Sequence, residues 1–239
     1  MNKKYILILI PTLLLACRST MFKCAEENKC SNNQGKYVST TDFKDSYEGN
    51  TKVSPVFNFW VERILPFGYG KIIYKQDQPG YIRKESQLDS YDGEWNWVLD
   101  NARVDYLSVY HGLGKLYIKD GSIIETEWDK GNHKVGSAGK ITFKDGRSIS
   151  GTWNKFFLCS GNCINGNGSW SSGYGSWIQS GIFTDGSLNG FGTEETNEYI
   201  FKGIFTKSAK TSGKVKCKVE KPECLKSIPK GFHSILEFE

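Results

Sequence analysis

Glycine recurs two residues before an aromatic ring at the end of short alternating segments, and this pattern constrains the chain more than any other. It occurs as Tyr91-Asp92-Gly93-Glu94-Trp95, Ile149-Ser150-Gly151-Thr152-Trp153, Gln179-Ser180-Gly181-Ile182-Phe183 and Phe201-Lys202-Gly203-Ile204-Phe205. In Ile124-Glu125-Thr126-Glu127-Trp128 a threonine takes the place of the glycine, and Tyr47-Glu48-Gly49 is a weaker copy. Strand side chains alternate between faces, so Tyr91, Gly93 and Trp95 share one side of a sheet. Glycine inside a strand normally weakens it, so its return at one register signals close approach of a ring or a backbone. An aromatic ring from the neighbouring hairpin is expected to lie over the hole that the glycine leaves.

A second half-unit begins with glycine and runs into a β-rich strand and a turn. Gly70-Lys71-Ile72-Ile73-Tyr74, Gly114-Lys115-Leu116-Tyr117-Ile118 and Gly139-Lys140-Ile141-Thr142-Phe143 are its copies. The last two run on to Asp120-Gly121 and Asp145-Gly146, which are hairpin-turn dipeptides. The aromatic marker steps through Trp95, Trp128, Trp153, Phe183 and Phe205 at intervals of 33, 25, 30 and 22 residues. Twenty-six glycines, an aromatic share of 14% and the near absence of helical periodicity agree with a chain of strands and turns. The expected fold is all-β: an elongated antiparallel meander of repeated hairpins forming an open sheet, with little helix.

The joined pattern, Tyr-x-Gly-x-Trp followed by spaced glycines, resembles the MORN repeat. The nearest local match is Gly181-Ile182-Phe183-Thr184-Asp185-Gly186-Ser187-Leu188-Asn189-Gly190-Phe191-Gly192, with Gly181, Gly186, Gly190 and Gly192 all in register. The segment from Cys159 to Gly168 is similar to the cysteine-bearing lead into repeats of bacterial MORN lipoproteins. The resemblance covers residues 67–215 and is strongest from Trp128 to Phe205. It implies a scaffold, a dimerisation module or a membrane-associated platform. It names no partner.

The N-terminus points to export. Lys3 and Lys4 precede the apolar run Tyr5 to Leu15, which falls short of the roughly 20 residues that span a bilayer. Leu14-Leu15-Ala16-Cys17 resembles the lipobox of bacterial lipoproteins, which implies cleavage before Cys17 and lipid on its thiol. Acyl chains contribute about 0.8 kcal/mol per buried CH₂, and lasting attachment takes more than one chain. An ordinary secretory signal and an uncleaved anchor are the alternatives. The first lacks its small-x-small site and the second lacks length. The expected location is the bacterial cell envelope, periplasmic or surface-facing. Removing residues 1–16 lowers the net charge from +5 to +3, with no basic stripe of the kind that binds nucleic acid.

Seven cysteines become six once Cys17 is set aside: Cys24 and Cys30, Cys159 and Cys163, Cys217 and Cys224. An even number in an exported chain reads as disulfides, and the expectation is the three sequence-local pairs among the connectivities open to six cysteines. A metal site is the rival, but its ligand spacing is poor and His111, His133 and His233 stand singly.

The domains read as a signal peptide over 1–16, a polar tether over 17–46, a repeat domain over 47–215 and a closing cap over 216–239. Trp60, in the aromatic stretch Asn58 to Leu65, is expected to cap the first hairpin. No convergent set of reactive groups appears: Asp120 and Asp145 sit where turns want them, and no phosphate loop or metal motif is present. The Gly-x-Gly pairs at Gly68, Gly112 and Gly190 are repeat elements. No cofactor is expected. The leading reading is therefore a non-catalytic, membrane-anchored protein-interaction module. A glycan-binding surface using exposed aromatics is the alternative, and a hydrolase with paired carboxylates ranks behind it. Packing of the sheet is the plain explanation for Trp95, Trp128 and Trp153.

Overall fold

The computed structural model describes residues 22–26, 30, 33–39, 45–54, 63–74, 88–100, 105–172, 175–228 and 236–238. Cys17, the leader, Trp60 and His233 lie outside the described residues. The chain divides into two compact units, residues 1–114 and 115–239. The described residues are almost entirely strand, arranged as consecutive antiparallel hairpins of an open sheet, with one short helix among them.

Unit 1 holds β1 (Phe22–Cys24), β2 (Gln34–Ser39), β3 (Ser46–Ser54), β4 (Arg63–Ile73) and β5 (Leu88–Asp100), each antiparallel to the next. β6 (Asp105–Ile118) contains the division between the units. A row of glycines crosses unit 1 at one register: Gly35 faces Gly49, Gly49 faces Gly70 and Gly70 faces Gly93. Beside it runs a buried row, Tyr37, Tyr47, Ile72 and Tyr91, also in direct register. The opposite face carries alternating charges, Lys36, Glu48, Lys71 and Asp92, which are cross-strand neighbours. Opposite charges placed so add a few tenths of a kcal/mol each, about 0.2–1.

The two rows explain each other. A Cβ on Gly70 would stand 2.1 Å from the Tyr47 hydroxyl oxygen, and one on Gly114 would stand 2.3 Å from that of Tyr91. Each ring thus lies flat along its own strand and over the glycine of the next one. The covering ring therefore comes from the adjacent strand at Gly70 and Gly114, as the sequence suggested, and the same ring also closes over Gly49 or Gly93 two residues on in its own strand. Alternation puts both residues on one face, and the missing Cβ lets the ring lie down. The Tyr47 hydroxyl then donates to the Asn50 carbonyl at 2.6 Å, and Tyr91 donates to the Glu94 carbonyl at 3.0 Å. Trp95 meets Tyr91 edge-on at 5.1 Å and donates its indole N–H to the Gly70 carbonyl. Phe201 and Phe205 repeat that edge-on contact at 5.2 Å.

Unit 2 continues with β7 (Ile123–Asp129), the two-residue β8 (Asn132–His133), β9 (Ala138–Thr142), β10 (Ser148–Trp153), β11 (Phe157–Gly161) and β12 (Gly166–Ser172). Then come β13 (Trp177–Thr184), β14 (Ser187–Thr196), β15 (Tyr199–Thr206), β16 (Ala209–Cys217), α1 (Lys221–Ser227) and β17 (Leu236–Phe238). Strand β9 lies between β7 and β10, and from β10 to β16 each strand pairs with its successor. Gly161, Gly168, Gly181, Gly192, Gly203 and Gly213 form an unbroken cross-strand row. Earlier in the unit Thr126 faces Gly139 and Gly139 faces Gly151, so threonine does replace the glycine in that copy.

The two rows of unit 2 do not join. Thr152 pairs with Cys159 and Trp153 with Leu158, so Gly151 stands opposite Ser160 instead of Gly161. A one-residue offset sends every side chain to the other face. Ile124, Trp128, Ile141, Trp153 and Leu158 accordingly pack on one side of the sheet. Phe183, Leu188, Tyr199, Phe201, Phe205 and Val215 pack on the other, with Cys224 and Ile228 against them.

All three expected disulfides are formed: Cys24–Cys30, Cys159–Cys163 and Cys217–Cys224. The third fixes α1 to β16 and buries Cys224 completely. β17 adds in parallel to β16. The tether reading fails at Phe22–Cys24 and Gln34–Ser39. β1 and β2 are strands of the sheet, with Tyr37 only 3% exposed, because Phe22, Tyr37 and the first disulfide supply the apolar anchors that polarity alone concealed.

Candidate interaction face and polar cleft

The three Gly-x-Gly elements share a backbone conformation. Gly68, Gly112 and Gly190 have φ of +75°, +55° and +77°, in the left-handed region that glycine tolerates. The register shows why. Between the pairs Gly49–Gly70 and Thr51–Pro66, β3 advances two residues while β4 advances four. β13 and β14 do the same between Gly181–Gly192 and Phe183–Leu188. The motif is a bulge, and bulges re-aim side chains. The central residue is aimed at solvent each time: Tyr69 is 60% exposed, Leu113 68% and Phe191 66%.

In unit 1 the Tyr69 hydroxyl donates to Asp92 at 2.7 Å, laying its ring along the surface. In unit 2 Phe191 faces Ile204 across the strands, and Ile182 on β13 is exposed as well. Three large apolar side chains on three successive strands thus share an open face. Surface apolar residues scattered singly need no explanation, whereas a contiguous set invites one.

The sequence-predicted signature residues lie elsewhere. Trp95, Trp128 and Trp153 are buried, as are Tyr91, Phe183 and Phe205. They build the sheet and offer no surface. His133 stacks on Trp153 at 3.7 Å and so serves packing. The exposed central residue of Gly-x-Gly was missed, although its signal, an apolar residue between two glycines, is visible three times in the sequence.

A second feature lies wholly in unit 2. The turns β6–β7 and β9–β10, the start of β13, the turn β14–β15 and the residue after β16 surround a cleft of about 480 Å³. Asp120 and Asp145 do hold their turns, accepting from the backbone N–H of Ser122 at 2.7 Å and of Arg147 at 3.0 Å. At the centre Arg147 donates both terminal nitrogens to Glu195, at 2.8 and 3.0 Å, and its Nε to Asp145 at 2.7 Å. Lys218 donates to Glu195 and to the Thr196 carbonyl, each at 2.7 Å. Hydrogen bonds from Arg147 hold the Glu195 carboxyl below its ordinary value against the opposing effect of burial. Hydrogen bonds from Arg147 likewise lower Asp145, and those from both carboxylates raise Arg147.

A separate polar cluster is buried beneath the second core. Glu194 accepts from Gln179 at 2.8 Å and from Tyr199 at 2.7 Å, and it pairs closely with Lys210. Burial pushes the Glu194 carboxyl up, but Lys210, Gln179 and Tyr199 together outweigh it and hold the group low. Removing one partner would leave an uncompensated buried charge, so the cluster fixes the pairing of β13, β14, β15 and β16.

Among the described residues no group of three or more His, Cys, Asp or Glu side chains is placed to hold a metal ion. No helix among them is long and apolar enough to cross a membrane. No protein-family model matches this sequence, and a search of the curated proteins returns no match.

Proposed function

We propose that this chain is an exported bacterial lipoprotein, attached through lipid on Cys17, whose MORN-like hairpin sheet is a non-catalytic docking platform for a protein partner. The observation that carries the reading is the repeated exposure of the central Gly-x-Gly residue, Tyr69, Leu113 and Phe191, beside a left-handed glycine each time and at a bulge for Tyr69 and Phe191. A bulged glycine costs stability, and the stacked rings beneath hold the sheet without those side chains. Presenting a large apolar residue at each of these three elements serves contact better than it serves folding. Aromatic and apolar residues on such a face commonly form the core of an interface.

Two experiments test it. Changing Cys17 to Ser should move the protein from the membrane to the soluble fraction on cell fractionation; retention in the membrane would sink the anchor. Recovery from detergent-solubilised membranes should give a stoichiometric protein partner, and Phe191→Ser with Ile204→Ser should remove it without lowering the melting temperature. A partner retained in full by that double variant would place its contact elsewhere and defeat the reading.

A further inference from the structure

The polar cleft of unit 2 plays no part in the docking reading. Its charged side chains balance: Asp120, Asp145 and Glu195 against Lys144, Arg147 and Lys218. Four of the six are tied to one another by the hydrogen bonds described above. A charged ligand would have to break those pairs, each a charge-assisted bond stronger than a neutral one. What remains open is hydrogen-bonding capacity without net charge. The Asn197 side chain is exposed and makes no hydrogen bond. Arg147 and Lys218 each keep an N–H beyond those spent on the network.

The cleft also has a flat apolar side. Phe143 and Ile178 line it, and a Cβ on Gly175 would stand 2.8 Å from the edge of the Phe143 ring, so that ring is wedged in place. The Arg147 guanidinium lies over one face of the ring, 5.5 Å from its centre, so a ligand would stack on the other face. The volume, about 480 Å³, falls within the range of small-ligand pockets, roughly 300–1,000 Å³. A fixed aromatic ring beside a rigid, neutral array of donors and acceptors matches one chemical class. Sugars present an apolar C–H face and a rim of uncharged hydroxyls that both give and accept hydrogen bonds.

We propose that this cleft binds a short neutral oligosaccharide, its C–H face on Phe143 and its hydroxyls on Asn197 and the Arg147–Glu195–Lys218 network. The site is independent of the Phe191 face, so either reading can fail without the other.

The test is calorimetric titration of the full-length protein in a detergent that carries no sugar headgroup. Maltotriose, cellotriose and triacetylchitotriose are the neutral probes, and trigalacturonate is the charged one. At least one neutral probe should bind saturably and more tightly than trigalacturonate. Phe143→Ala should weaken it by about tenfold or more, the loss of roughly 1.4 kcal/mol. Asn197→Ala, at an exposed position whose change leaves the fold intact, should weaken it by about threefold. Phe156→Ala, an exposed ring outside the cleft, should leave it unchanged. Absence of saturation with all three neutral probes at about 10 mM would overturn the proposal, that concentration being well above any specific affinity of interest. Equal loss with Phe156→Ala, full retention with Asn197→Ala, or preference for trigalacturonate would overturn it too.

Discussion

At the scale of single residues, glycine does two different jobs in this sheet. Gly70 is required by space: its hydrogen atoms face the Tyr47 hydroxyl and ring, and Tyr47 is only 1% exposed. Gly190 is required by conformation alone, since a Cβ there would meet nothing within 4 Å while φ stands at +77°. The two jobs separate experimentally. Gly70→Ala should cost about 1–3 kcal/mol in urea unfolding, as overpacking does. Pairing it with Tyr47→Leu should recover part of that cost, because the shortened side chain vacates the space; strict additivity would show the contact to be slack. Gly190→Asn should be milder than Gly190→Val, because asparagine enters the left-handed region and a β-branched residue does not. Equal costs for those two would mean that the bulge is not maintained in solution.

At the scale of elements, hairpin existence was legible and sidedness was not. Turn dipeptides at Asp120 and Asp145 and the glycine markers at 93, 151, 181 and 203 place the strands correctly. The three disulfides are the sequence-local pairs that the cysteine spacing favoured. The change of face between β10 and β11 could not be read, because it depends on a single residue of turn length. There Asn154 takes the backbone N–H groups of Phe156 and Phe157 on its side-chain oxygen, at 2.9 and 2.7 Å, and so fixes a tight reversal. The entry of β1 and β2 was hidden for another reason: one or two buried rings per strand are enough when neighbours supply the rest. The closing element carries a prediction of its own. Cys217–Cys224 joins β16 to α1, and Cys224 and the following Ile228 belong to the core cluster of Val215 and Phe205, whereas Cys159–Cys163 closes a surface turn in which Cys163 is buried but Gly161, Asn162, Ile164 and Asn165 are exposed. Short loops of this kind contribute about 2–3 kcal/mol through the unfolded chain alone. Replacing Cys217 and Cys224 together by Ser should therefore lower the melting temperature more than the same change at Cys159 and Cys163. The excess reflects two polar groups left in or beside a core. Equal losses would mean that α1 adds nothing beyond loop closure.

At the scale of the whole molecule, the carboxylates held below their ordinary values among the described residues, Asp145, Glu194 and Glu195, all belong to unit 2. A carboxylate whose folded value is lowered contributes stability that is complete above its unfolded value, about 4.5 for glutamate, and is lost as pH falls through the folded value. Unit 2 should therefore weaken in the acid range below that point, as Arg147, Lys218 and Lys210 lose their partners. Hydrogen exchange measured from neutral pH down to the acid limb should show protection falling first in β13 to β16. Glu195→Gln should flatten that dependence while lowering stability at neutral pH, because the amide cannot answer both Arg147 and Lys218. Glu194→Gln should be the more damaging at neutral pH, since it strands the Lys210 ammonium, whose side chain is only 11% exposed. If the acid limb of Glu195→Gln runs parallel to that of the wild type, the cleft network is not what couples this sheet to pH. The preorganisation invoked for its ligand would then lose its support along with it.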